Sequence, residues 1–108
     1  MSNHWIKVAR SNQVSSLEPC VTKKQKALPS MCLWREPNNS IAAIERYCPL
    51  GQEDLAHGKI TNDGVVCSKH NITWTSCGNS NLSTSLSNTI SYWWPTKEIN
   101  GSVFVKWK

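Results

Sequence analysis

Three residues of this chain combine the right types and spacing for chemistry: Cys48 in RYCPLGQEDLAHG, and Cys67 and His70 in GVVCSKHNITW. A Cys-x-x-His pair in a loop lets one short turn direct a thiolate and an imidazole at a common centre. Cys48 ends one strand-like segment, and Cys67 ends another that follows an Asn-Asp-Gly turn. Two hairpin loops can therefore bring Cys48, Cys67 and His70 to one tip, and metal binding is the chemistry that results. A lone Cys-x-x-His is more often a buried thiol beside a surface imidazole, so the weight rests on the whole pattern.

The elements that must position these residues are short. WIKVA, MCLWR, IAAIERY, GVVC, ITW, TISYWW and SVFVKW have strand length and are rich in Val, Ile and aromatics. None sustains helical periodicity over three turns. EPNNS, NDG and ING lie between them as turns, the last two typical of tight hairpins, so neighbouring strands should pair antiparallel. GQEDLAHG is the one candidate for a helical turn, opened by Gln52, Glu53 and Asp54 and stopped by Gly58. Ser76 to Asn88 reads as a polar loop. The expected class is all-β.

With 108 residues, the chain reads as a single domain, 1–108. Hydrophobic residues at 39% and charged residues at 18%, with six Trp, argue against wholesale disorder. Trp34, Trp93, Trp94 and Trp107 are expected to fill the core or its edges, and Cys20 and Cys32 to act as small apolar residues on strands. Five Cys do not close into a disulfide framework and fit thiols better. MSNHWIKVAR contains no apolar run of signal-peptide length, and no segment reaches membrane-spanning length, so the expected location is cytoplasmic with no membrane partner. The net charge of +5 comes partly from Lys23, Lys24 and Lys26, which could steer an acidic partner. No aromatic-interleaved basic stripe accompanies these lysines, so no nucleic acid partner is expected.

C-P-x-G-x-x-x-L-x-x-G, followed by a turn and V-V-C-x-x-H, resembles the paired cluster-binding loops of Rieske [2Fe-2S] proteins. In that family the loops read C-x-H and C-x-x-H, with two thiolates on one iron and two imidazoles on the other. The interval from Leu50 to Cys67 matches, and Leu55, Gly58, Val65 and Val66 fall where the family places Leu, Gly and apolar residues. CLWREPNNSIAAIERYCP is similar to the strands leading into the first loop of ring-hydroxylating oxygenase Rieske domains, and SYWWPTKEINGSVFVKW to their closing hairpin. The resemblance implies a Rieske-type antiparallel β-sandwich with two cluster-binding hairpin loops at one tip. It also implies Cys48, Cys67 and His70 as ligands of a [2Fe-2S] cluster, and Trp74 as an aromatic packed beneath the loops.

Leu50 stands where the family has its first histidine, and a hydrocarbon has no lone pair for iron. Gln52 and Asn71 replace glycines that follow the ligands, and SCGNSNL lacks the proline-containing segment that covers the cluster in relatives. His57, Asp54, Cys77 or water are candidates for the missing ligand, and Cys₂His plus water would also suit Zn²⁺. Two functions follow. One is a freestanding Rieske-type iron-sulfur protein with atypical ligation, passing single electrons to a partner oxidoreductase or oxygenase. The other is a cluster-less accessory subunit that binds a partner enzyme, as in nitrite reductase small subunits. Neither makes the chain an enzyme alone, because no nucleophile and base pairing stands out.

Overall fold

The computed structural model describes residues 4–25, 28–69, 71–80 and 91–107. Among them are nine strands and no α-helix: β1 (Trp5–Arg10), β2 (Cys20–Val21), β3 (Met31–Arg35), β4 (Ile41–Glu45), β5 (Lys59–Thr61), β6 (Gly64–Val66), β7 (Thr73–Trp74), β8 (Thr96–Ile99) and β9 (Ser102–Lys106). They form three antiparallel sheets, ordered β1-β9-β8, β2-β3-β4 and β5-β6-β7.

The β2-β3-β4 sheet is a wall between two cores. The first four residues of both β3 and β4 are buried, as expected of continuous apolar runs covered on both faces. Alternation then divides them. Met31, Leu33, Ile41 and Ala43 join Val103, Val105 and Trp94 on one side. Cys32, Trp34, Ala42 and Ile44 join Cys48, Leu55, Val65, Cys67 and Trp74 on the other. A one-residue slip of β3 against β4 would send each set to the wrong core, which pins the register Leu33↔Ala43.

The turns follow the sequence signals. Asn100 and Gly101 take φ of 50° and 79° between β8 and β9, the two left-handed residues that a tight hairpin of this hand requires. Asn39, at φ 72°, closes the β3–β4 turn, where the Glu36 N–H donates to the Ser40 carbonyl. The expected helical turn is a single 3₁₀ turn, Leu55–His57. It opens at Asp54, whose carboxylate accepts from the Ala56 N–H at 2.9 Å, and ends at Gly58.

One expected strand is different. Of TISYWW, Thr89 and Ile90 lie outside the described residues, as does the 81–88 part of the polar loop and Lys26 of the lysine cluster. Ser91 to Trp94 is not a strand but runs beside β4, with the Trp94 N–H on the Ala43 carbonyl and the Glu45 N–H on the Tyr92 carbonyl. Pro95 follows and has no N–H with which to extend the pairing. Trp94 takes the inward position, so its neighbour Trp93, expected in the core or at its edges, is turned out beside β4 and 43% exposed.

Arg35, at the end of β3, ties the wall to the β1-β9-β8 sheet. Its guanidinium makes two 2.9 Å bonds to the Glu98 carboxylate on β8 and also donates to the carbonyls of Val14 and Ser11. That contact, helped by the Ser11 hydroxyl, lowers the Glu98 carboxyl from its ordinary 4.5 to about 2. A carboxyl depressed in the folded state stabilises the fold above its unfolded pKa and loses that contribution as pH falls towards the folded one. Wild type should therefore exceed Arg35→Gln by about 1 kcal/mol at pH 7, a figure discounted for partial exposure, and urea denaturation should find the gap narrowing from about pH 4.5 to pH 2.

Candidate metal centre

The loops that begin at Cys48 and Cys67 share one hydrogen-bond pattern. In the first, the Cys48 N–H donates to the Glu53 carbonyl at 2.7 Å, and the Gln52 N–H returns to the Cys48 carbonyl at 2.7 Å. In the second, the Cys67 N–H donates to the Ile72 carbonyl at 2.7 Å, and the Asn71 N–H returns to the Cys67 carbonyl at 2.8 Å. Closing such a loop takes a left-handed residue at its fifth position. Gln52 has φ 60° and Asn71 φ 58°, where glycine would be unstrained. Asn tolerates this region through its short polar side chain, whereas Gln does so less readily.

Each loop is held at its base. Below the first, the Leu55 N–H donates to the Arg46 carbonyl, and the Arg46 guanidinium grips Asp54 through two bonds, Nε–Oδ1 at 3.0 Å and Nη2–Oδ2 at 2.8 Å. The guanidinium holds the Asp54 carboxyl below its ordinary range. Below the second, Val65 pairs with Trp74 and Val66 with Thr73. Gly64, at φ 147°, lets β6 pass against the Trp74 carbonyl, into which any Cβ would run. Gly58 likewise admits the Val66 carbonyl, which a Cβ there would meet at 2.6 Å.

This scaffold brings Cys48 and Cys67 together. Both are fully buried in one apolar cluster, and the Cys67 sulfur is close enough to Cys48 to influence its thiol. The indole Nε1–H of Trp74 donates to Cys48 Sγ at 3.4 Å, and the Leu50 backbone favours the thiolate form of that sulfur. Burial pushes the Cys48 thiol up; the Leu50 and Trp74 donors oppose this by favouring thiolate, and the Cys67 sulfur adds to the rise. None of the five cysteines is in a disulfide. The contrast with Cys32 is instructive: burial without such donors raises its thiol to about 12, with smaller contributions from Cys20 and Asp54.

His70 lies outside the described residues. Leu50 packs on the apolar cluster that contains the two cysteines. The candidate replacement ligands are placed elsewhere: Asp54 is bound to Arg46, His57 is exposed at the end of the 3₁₀ turn, and Cys77 is exposed on the turn from Thr75 to Gly78. Among the described residues, no three His, Cys, Asp or Glu side chains converge as metal ligands. The Trp74 donor is the site residue that sequence reasoning placed without giving it this role; its signal is the stabilisation that a buried indole N–H gains from an acceptor.

The sequence matches the family description "Rieske [2Fe-2S] domain" over residues 4–93. The chain belongs to the Rieske [2Fe-2S] domain family. No curated protein sequence matches it. Among solved structures it is similar to the Sphingomonas yanoikuyae B1 ferredoxin, with TM-score 0.82 and 14% identity, covering 97% of this chain and 100% of that one. A Mycobacterium tuberculosis protein described as an NADH-dependent nitrite reductase small subunit gives TM-score 0.81 and 11% identity, covering 100% and 98%. Dicamba monooxygenase gives TM-score 0.77 and 19% identity; 95% of this chain is covered, but it spans only 32% of that enzyme.

A Rieske cluster fits half of this donor set. Two adjacent thiols with N–H donors on sulfur suit an iron held by thiolates. Leu50, packed on the same cluster, offers no lone pair to a metal. Loop closure itself can be tested without metal. Gln52→Gly should stabilise the protein by about 0.5 kcal/mol, the relief of left-handed strain less the glycine entropy cost. Gly64→Ala should destabilise it by at least about 2 kcal/mol. Urea denaturation reads both.

Proposed function

We propose that this chain is a freestanding Rieske-type iron-sulfur protein with atypical ligation that transfers single electrons to a partner oxidoreductase or oxygenase in the cytoplasm. The observation that carries the reading is the pair Cys48 and Cys67, both buried in one cluster at the ends of two loops of one hydrogen-bond design. A [2Fe-2S] cluster bound here would supply one-electron chemistry. Cys48 and Cys67 would hold one iron and His70 a position on the other, leaving the place opposite Leu50 to water or another small ligand. The Trp74 and Leu50 N–H groups stabilise thiolate at Cys48 and so favour a metal-bound over a protonated sulfur. Leu55, Val65, Ile72 and Trp74 keep water from the sulfurs.

A second reading has its own support. Leu50 packs on the same apolar cluster as the cysteines, and the end-to-end likeness to the nitrite reductase small subunit fits an accessory subunit that binds a partner enzyme without a cluster. Iron and acid-labile sulfide per chain, with a visible spectrum, on anaerobically purified protein separate the two. Near-stoichiometric iron and sulfide are expected for the electron carrier. Their absence from folded protein would move the assignment to the accessory subunit, and zinc without sulfide would make the site a Cys₂His zinc site. Leu50→His should raise iron and sulfide content under cluster-assembly conditions. If it does not, Gln52, Asn71 or the polar loop has closed the site.

A further inference from the structure

The outer face of the β1-β9-β8 sheet has a composition that the linear sequence hides. Val103 and Val105 of β9 point into the core, so alternation turns Phe104 and Lys106 outward. The register then sets Lys7 and Lys97 on either side of Phe104, and Trp5 beside Lys106. Arg10, opposite Ser102, extends the same face. Lys97 Nζ lies 4.2 Å from the centre of the Trp5 ring, reaching across β9, which confirms that the side chains share one surface.

Four cations therefore stand on one rigid sheet face. The chain has seven Asp and Glu residues, and Glu98 is the one found in this sheet. It sits opposite inward-pointing Val103 and is bound to Arg35, off the outer rows. The two ion pairs among the described residues, Arg35–Glu98 and Arg46–Asp54, use none of the four cations. Like charges on neighbouring strands repel, so the arrangement costs stability that an anionic partner would recover. This face adjoins the core of Val103 and Val105, on the other side of the wall from the cysteines.

We propose that this face, with Lys7, Arg10, Lys97 and Lys106 around Phe104, is a docking surface for an acidic protein partner. A half-buried aromatic centre within a charged rim is the layout of a protein interface. The rim gives electrostatic steering and orientation. Single-stranded nucleic acid is the less favoured ligand, because base stacking needs open aromatic faces and Lys97 covers one face of Trp5. The inference is independent of whether the cysteine site carries a cluster. It also places the docking lysines on the sheet rather than in the Lys23–Lys24 loop.

The test uses fluorescein-labelled poly-L-glutamate as an acidic polypeptide probe, with binding to the full chain followed by anisotropy at low and physiological salt. Lys7→Gln/Lys97→Gln/Lys106→Gln should weaken binding by about tenfold. The charge-matched control Lys23→Gln/Lys24→Gln/Lys59→Gln should stay within about twofold of wild type. Thermal unfolding checks both folds; should the triple variant unfold, Lys7→Gln/Lys106→Gln, which keeps the Lys97–Trp5 contact, replaces it. Equal losses in the two charge-matched variants would overturn the proposal, since net charge alone would then explain binding. So would tighter binding of a deoxythymidine oligonucleotide or of phosphatidylserine vesicles through the same three lysines.

Discussion

The indole of Trp74 is the contact on which the tip depends. Its backbone belongs to β7 and is paired to β6, directly behind the Cys67 loop, while its Nε1–H reaches the sulfur of Cys48 in the other loop. One fully buried side chain therefore sets the spacing of two loops that no strand pairing joins. Burial makes an acceptor for the indole N–H worth having, and Cys48 Sγ is the one Trp74 finds. The close pass of Gly64 beneath the Trp74 carbonyl serves the same end by seating β6 tightly against β7.

Around that contact, polar bonds lock the loops individually. The first is stapled by Arg46 and Asp54, the second by its ladder to Thr73 and Trp74. The similarity of the two hydrogen-bond circuits explains why Gln52 and Asn71 are left-handed despite their side chains. The circuit demands that conformation of whichever residue occupies the fifth position. Gln and Asn here adopt the backbone geometry that glycine would take without strain.

Much of the architecture was legible in the sequence, because short Val- and Ile-rich runs between turn residues leave few alternatives. Asn100-Gly101 encodes its hairpin directly, and the uninterrupted apolar runs of β3 and β4 announce burial on both faces. Aromatic content does not reveal which of the adjacent Trp93 and Trp94 faces inward; pairing with β4 decides that. At the site, the spacing of Cys48 and Cys67 pointed to their meeting, whereas the bond from Trp74 to Cys48 crosses 26 residues and belongs to tertiary packing. The basic sheet face is hidden from the sequence for the same reason: Lys7, Lys97 and Lys106 are adjacent only in register, whereas Lys23 and Lys24 are adjacent along the chain.

The wall formed by β2, β3 and β4 has a consequence for how this molecule can vary. Side chains of the two cores meet it from opposite faces as separate clusters, and the energetic effects of substitutions that share no neighbour are close to additive. Drift at the tip is insulated from the β1-β9-β8 half, so a change that would abolish a function at one end need not erode the fold that serves the other. A partition of this kind confines the packing effect of a substitution at position 50 to the cysteine-side core and leaves the contacts around Val103 and Val105 untouched.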